Sequence, residues 1–277
     1  MNFFQRLQQP KPMIMGILNV TPDSFSDGGR YTAVDAAVAR ALAMIGAGAE
    51  IIDIGGESTR PGADRVPADI QMRRVLPVIS ALKPRLPEGR FISIDTTLAP
   101  VAEAALDAGA DFINDISAGR DDPAMFQLAA QRRVAMVLMH MQGTPKTMQD
   151  RPHYRDVVAE VREFLLQRAQ LARAAGIPAE AILVDPGIGF GKRRSDNLRL
   201  MAHLEDLVAT GFPVVLGTSR KRFMGAILEV TEPAELVHAT VATTALGVMA
   251  GVRIFRVHDV KENRQALEVT WAIRQAR

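Results

Sequence analysis

One phrase recurs four times along the chain and constrains its fold more than any other feature: "AGAEIID" (47–53), "AGADFIND" (108–115), "AGIPAEAILVD" (175–185) and "AGVRIFRVHD" (250–259). Each begins with a glycine suited to ending a helix, runs into a short β-branched stretch and finishes on a polar residue. Stretches at 13–19, 91–95, 135–140 and 214–217 supply four further strands. Between the strands lie apolar stripes of helical period. One comprises Val34, Val38, Ala41, Leu42 and Ile45; a second Val157, Val161, Phe164, Arg168, Leu171 and Ala175; a weaker last one Val260, Leu267, Thr270 and Ile273. Strands alternating with helices imply a parallel sheet. Eight such units, with near-continuous apolar strands, fit a single (β/α)8 TIM barrel better than a doubly wound sheet, for which five or six strands and a nucleotide loop after the first are expected. With 277 residues and no linker or low-complexity tract, the chain reads as one domain, 1–277, with residues 1–12 as an N-terminal lead-in.

Composition removes several classes of function. Hydrophobic residues make up 48% and charged residues 23%, enough for a sizeable core. There is no cysteine, so disulfides, thiolate zinc sites and cysteine nucleophiles are excluded and an intracellular protein is expected. The isoelectric point near 9.1 invites a nucleic-acid partner. A net charge of only +2 and 5% aromatics, with Trp271 the one tryptophan, leave no stacking platform or basic stripe, so none is expected. The N-terminal "MNFFQRLQQPKPM" has no basic segment followed by an apolar run, and the low-charge stretch 239–252 is short and broken by Gly247 and Gly251. No membrane association is expected, and the cytoplasm is the simplest location.

In a barrel of this type the active site lies at the C-terminal strand ends. The tips read Asn19, Asp53, Asp95, Asn114 with Asp115, His140, Asp185, Thr218 with Ser219, and Arg256 with His258. Any one of these could merely cap a helix or complete a turn; eight around one rim point to a site. Side chains alternate along a strand, so only one of Asn114 and Asp115 can face the axis. Asp95, Asn114 and Asp185 suit the amide-like edge of a flat heterocycle, since buried acceptors need donors; a water-filled polar cluster is the alternative.

Arg256 and His258, two apart on the last strand, share a face with Cα atoms roughly 6 to 7 Å apart and form a pair of potential cations awaiting an anion. "GTSRKRF" (217–223) adds Arg220, Lys221 and Arg222 after the seventh strand, where barrels often hold phosphate, although Arg222 and Arg193 read as solvated. "DPGIGFGKRR" (185–194) matches neither the dinucleotide nor the Walker spacing and reads as a rim loop with Phe190 available to cover a ligand. The five histidines lack zinc spacing. A hard cation such as magnesium, taking one or two protein oxygens and completing its shell with phosphate and water, is the more natural metal, and Asn19 is placed to meet it.

Two long stretches, "MGILNVTPDSFSDGG" (15–29) and "IIDIGGESTRPGA" (51–63), resemble the signatures of the dihydropteroate synthases, pterin-binding enzymes of folate biosynthesis. The likeness continues through "INDIS", "LMHMQGTPKTMQ", "DPGIGFGK", "SRKRF" and "RVHDVKE", so it spans nearly the whole chain. The resemblance implies a magnesium-dependent transferase and sulfonamide target that condenses hydroxymethyl-dihydropterin pyrophosphate with p-aminobenzoate, releasing pyrophosphate, and that forms a homodimer. It implies that Asp95, Asn114 and Asp185 hold the pterin with Lys221 beside it, that Thr59, Arg256 and His258 receive the pyrophosphate, and that Asn19 meets Mg2+. Lys221, Arg256 and His258 become the expected catalytic groups. Phe25, Thr59, Arg60, Pro61, Phe190 and Ser219 would surround p-aminobenzoate, its carboxylate resting at a helix start after Thr218. Replacing Arg256 by Ala is expected to lower turnover while leaving folding largely intact. Where many relatives continue Ser-Lys after the first ring-binding aspartate, this chain has Thr97 and Leu98, so no role passes to position 98. A pterin-dependent methyltransferase domain or a non-catalytic pterin-binding barrel are the alternatives; neither needs the diphosphate-directed groups.

Overall fold

A computed structural model describes residues 1–21, 30–58, 60 and 62–276, residues 30–32 by their backbone alone. The chain enters through a short helix, α1 (Phe3–Gln8), before β1 (Met13–Asn19), α2 (Arg30–Gly46), β2 (Ile51–Gly55), α3 (Ala68–Leu82), β3 (Phe91–Asp95), α4 (Ala99–Asp107) and β4 (Phe112–Asp115). It continues with α5 (Ala124–Arg132), β5 (Ala135–Met139), α6 (Val157–Ala174), β6 (Ile182–Asp185), α7 (Arg194–Ala202), α8 (Leu204–Val208) and β7 (Val215–Leu216). The last elements are α9 (Arg222–Leu228), α10 (Val237–Ala250), β8 (Ile254–Val257) and α11 (Val260–Gln275).

All eight strands are parallel, in the spatial order β6-β5-β4-β3-β2-β1-β8-β7. The ring closes between β6 and β7 through a single bridge, Val184 to Val214, backed by the Val184 N–H on the Pro213 carbonyl at 3.0 Å. Expected over 214–217, β7 keeps only Val215 and Leu216, because Pro213 before it has no N–H to donate and Gly217 after it offers no side chain to pack. The architecture is the (β/α)8 barrel that the repeated phrase implies. Its glycines do what the phrase requires: Gly48, Gly109, Gly176 and Gly251 all take positive φ between 102° and 115°, a region closed to most side chains, where each helix turns into the next strand.

Two helical stripes shift from their sequence expectation. On α6 the buried face is Val157, Val161, Leu165, Ala169 and Ala172, while Leu171 is exposed. On α11 Asn263 replaces Ile273 in the buried set. On α6 the choice between neighbouring apolar positions is made by the surface against which the helix rests, and on α11 the buried Asn263 side chain accepts a hydrogen bond from Thr244 Oγ1 at 2.7 Å.

The end of the barrel opposite the polar tips is closed by the lead-in. Phe3 of α1 stacks on Phe112 at 4.1 Å between ring centroids and meets Phe91 edge-on at 5.3 Å. Arg6 donates to Glu50 at 2.7 Å, and Arg253 reaches the Leu7 carbonyl at 2.6 Å and the Pro10 carbonyl at 2.9 Å. Among the described residues no helix is long and apolar enough to cross a membrane.

Candidate functional site

Strand register brings the polar residues to one rim. Asn19 pairs with Gly55, Gly55 with Asp95 and Asp95 with Asn114, so one inward row at the C-terminal edge reads Asn19, Gly55, Asp95, Asn114. One layer below, Ile17 pairs with Asp53 and Asp53 with Ser93. Asp53 is thus not a strand tip, as the sequence suggests: β2 runs on to Gly55, and the carboxylate is wholly buried mid-strand. Alternation puts Asn114 inside and turns Asp115 outward, where it accepts the Ser117 and Gly119 N–H groups at 2.7 Å each.

Arg256 spans the two layers. Its Nε donates to Asp53 Oδ2 and its Nη2 to Asp95 Oδ2, both at 2.6 Å. Burial alone would disfavour the guanidinium charge, but the two carboxylates more than offset it and raise the Arg256 pKa. Two carboxylates share this one cation, and burial pushes Asp95 up to about 7 despite Arg256. Asp185, at the end of β6, accepts the Gly187 N–H at 2.7 Å; burial pushes it up to about 6, opposed by that hydrogen bond and by Lys221. A Cβ added at Gly217 would lie 3.9 Å from both Asp185 Oδ2 and Arg256 Cβ, so the bare backbone of this residue lets the two side chains flank one space.

Lys221 completes the group. Its ammonium sits 4.0 Å from the Phe190 ring centroid, and burial, with Arg256, brings its pKa down to about 8 against the pull of Asp185 and Asp95. His258 lies one residue past the end of β8, with Nδ1 3.0 Å from Ser219 Oγ, and its own N–H donates to the same oxygen at 3.1 Å. Burial and then Arg256 and Arg220 depress His258 to about 3, so it is neutral. A neutral imidazole has one donor and one acceptor nitrogen, so a Ser219 hydroxyl that donates to Nδ1 leaves Nε2–H as the donor. The expected pair of cations is therefore one cation and one neutral donor.

Other expectations divide. Arg220 does not serve the pocket: it forks onto Asp259 at 2.6 and 3.0 Å and ties the loop after β7 to the loop after β8. No helix starts directly after Thr218; a turn closes from Lys221 N–H to the Thr218 carbonyl at 3.1 Å, and α9 begins at Arg222. Phe190 and Ser219 come to the site beside Lys221 and His258, whereas Arg60 is solvent-exposed. Phe25, Thr59 and Pro61 lie outside the described residues. Leu98, at the N-terminus of α4, is partly buried against the core.

Two residues carry no assigned role in the sequence. Asp53, expected there only as one polar tip among eight, supports both Arg256 and Asn114. Lys192, in the glycine-rich loop after β6, is buried; its ammonium touches the Gly187 carbonyl at 2.9 Å, the Phe190 carbonyl at 3.0 Å and His140 Nδ1 at 2.9 Å. Burial lowers Lys192 to about 7, with Asp185 opposing and Lys221 assisting, and it lowers His140 to about 2, with Lys192 assisting. Nothing in the one-dimensional pattern distinguishes this lysine from a solvated one.

Among the described residues no group of three or more His, Asp or Glu side chains could hold a metal. The half-buried amide of Asn19 at the rim offers a single neutral oxygen. That donor set suits a hard cation whose remaining ligands are water and phosphate, and it does not suit a zinc ion.

Comparison with known proteins agrees with this architecture. A family model described as "Pterin binding enzyme" matches residues 15–258. The dihydropteroate synthase of Bacillus subtilis is 48% identical over 91% of this chain and 85% of its own length. That of Escherichia coli K12 is 44% identical over 96% of this chain and 93% of its own. A Xanthomonas albilineans dihydropteroate synthase solved with 4-aminobenzoic acid superposes with a TM-score of 0.90 at 47% identity, covering 98% of this chain and 95% of that one. The same species' enzyme in complex with 7,8-dihydropteroate gives 0.86 at 44% identity, with the same two coverages. Barrel, rim residues and relatives converge: the chain belongs to the pterin-binding enzyme family, among the dihydropteroate synthases.

Proposed function

We propose that this protein condenses hydroxymethyl-dihydropterin pyrophosphate with p-aminobenzoate to give dihydropteroate and pyrophosphate. The observation that carries the reading is the meeting, around one space, of ring-directed acceptors and diphosphate-directed donors: Asp95, Asn114 and Asp185 on one side, Lys221, Arg256 and His258 on the other. Relatives bearing the enzyme's name, and neighbours solved with 4-aminobenzoic acid and with 7,8-dihydropteroate, support it.

In this reading the buried acceptors bind the donor edge of the pterin and fix the exocyclic methylene within the pocket. As the C–O bond to the diphosphate breaks, positive charge develops on that methylene and negative charge on the departing oxygen. Arg256 and the Nε2–H of His258 stabilise the negative charge, and they act in a site where burial strengthens each interaction. Mg2+, held from the protein side by Asn19, would neutralise further diphosphate charge. Phe190, beneath the Lys221 ammonium, forms a wall of the p-aminobenzoate site with Ser219 at its edge. Phe25, Thr59, Arg60 and Pro61 complete it in this proposal. The aryl amine attacks the methylene carbon, the diphosphate leaves with the bonding pair, and the amine then loses a proton.

The proposal includes a cytoplasmic homodimer. A chain without cysteine suits a reducing compartment, and exposed Leu246 on α10 with Val269 and Ile273 on α11 offers apolar surface for a second copy. The decisive test combines purified protein, both substrates and Mg2+, and measures dihydropteroate and pyrophosphate. Formation of both in equal amounts, lost without the metal, is expected; no product under any metal condition would reject the reading.

A further inference from the structure

Asp53 receives three side-chain donors from three other strands. Ser93 Oγ meets Oδ1 at 2.6 Å, while Asn114 Nδ2 and Arg256 Nε meet Oδ2 at 3.1 and 2.6 Å. A primary amide has one donor end and one acceptor end, whereas an ionised carboxylate only accepts. Ion-paired with Arg256 and hydrogen-bonded by Ser93, Asp53 therefore admits only the NH2 end of Asn114. The other end, Oδ1, is turned away from Asp53, has no hydrogen-bond partner among the described residues and is not fully enclosed. Beside it, Asp95 Oδ1 and Asp185 Oδ2 accept no hydrogen bond from the described residues, their other oxygens being taken by Arg256 and the Gly187 N–H.

We infer that Asp53 is a specificity-determining positioning residue: by fixing which way round Asn114 presents its amide, it makes the ring-reading wall acceptor-only. Such a wall selects a heterocycle edge that presents N–H donors and rejects one that presents a carbonyl at the same place. The inference rests on the pterin reading above and adds to it the group that sets the polarity of recognition. Pterin and lumazine make the discriminating pair: lumazine carries a carbonyl at C2 in place of the amino group, with a proton on N1. A carbonyl there would face acceptors with no proton between them, an arrangement that protein sites reject strongly.

Calorimetric titration at pH 7 with pterin and with lumazine tests this. The wild-type protein should bind pterin at least ~100-fold more tightly. Asp53→Asn can donate as well as accept, frees Asn114 to turn over, and should shrink the ratio to ~10 or less, chiefly through weaker pterin binding. An unchanged ratio in a folded Asp53→Asn protein would overturn the inference while leaving the pterin reading in place. Failure of the wild type to bind pterin would overturn both.

Asn114→Asp supplies an independent route should Asp53→Asn not fold. It sets a second carboxylate against Asp53, with Asp95, Asp185, Lys221 and Arg256 the other charged groups around the pocket, so it must carry a proton to bond. Its pterin affinity relative to wild type should then fall at least ~10-fold as pH rises from about 6 to 9. A constant ratio across that range would count decisively against Asp53 as the orienting group.

Discussion

Arg256 is the residue at which sequence and structure differ most usefully. A strand position and a neighbouring histidine suggest a cation waiting for diphosphate, and on that basis Arg256→Ala should leave folding largely intact. The structure revises this, because the guanidinium neutralises two buried carboxylates. Removing it strands Asp53 and Asp95, and breaking a buried pair costs about 3–5 kcal/mol. We expect Arg256→Ala to lower urea-unfolding stability by that order as well as to reduce kcat. Arg256→Lys should preserve most of the stability yet lose about 10²-fold or more in kcat, because the fork geometry goes with the guanidinium. Equal stability of wild type and the Ala variant would show that Arg256 is not the counter-ion.

Asp95 and Asp185 carry a pH signature of their own. Both are raised by burial, to about 7 and about 6, so at acid pH each holds a proton and presents fewer acceptors to a pterin edge. Ionisation restores the acceptors. Pterin affinity should therefore rise between about pH 5.5 and 8, the window of those two values. Stability moves the opposite way: with folded pKa values above the unfolded ones, these carboxylates favour the folded state at low pH, and that contribution is lost as pH rises through 6 and 7. Affinity that is flat or falling over the window would exclude ionised carboxylates as the ring-binding form.

At the level of elements, the loop after β6 is held by a charge inside it. Lys192 bonds the Gly187 and Phe190 carbonyls and faces His140, so one buried ammonium fixes the turn that presents Phe190 and brings Gly189 against Lys221. Lys192→Met keeps the length but leaves those carbonyls without a donor, at about 1–3 kcal/mol. We expect that loss in urea unfolding, together with a rise in KM for p-aminobenzoate larger than that for the pterin substrate. Equal changes in both KM values would deny the loop a particular role in the second site. Gly187 sets the same constraint by shape: φ is +63°, and a Cβ would lie 1.9 Å from the His140 carbonyl oxygen. Sequence identifies this segment as a glycine-rich rim loop and dismisses it as a nucleotide motif. It does not reveal that the lysine at its end folds back inside, since a polar residue's burial depends on partners far away in the chain.

For the whole molecule, the two ends of the barrel have separate duties. The rim bears the site, while α1 covers the other end with Phe3 against Phe91 and Phe112. Phe3→Ala should cost about 3 kcal/mol or more through the lost packing and cavity, lowering Tm while kcat/KM at a permissive temperature stays within about twofold. A change in KM comparable to that from a rim substitution would show that the ends are coupled. The sequence treats residues 1–12 as a lead-in because six helical residues are too few to declare themselves by period. Their worth appears only once the barrel floor exists to receive them.

Much of this protein is written locally. Strand alternation, helix-ending glycines and polar tips depend on neighbours within a few residues, so the (β/α)8 order, the opposite faces of Asn114 and Asp115 and the grouping of Asp95, Asp185, Lys221 and Arg256 at one rim are legible in the chain itself. Tertiary structure alone decided the rest: that β2 carries Asp53 below the rim, that Arg256 answers two carboxylates, that His258 is neutral, and that Lys192 is buried. Each of these depends on charges and solvent exclusion set by strands up to two hundred residues apart, as Asp53 and Arg256 are, 203 positions from one another. Coulombic and desolvation energies follow distance in space, and no local pattern encodes that distance.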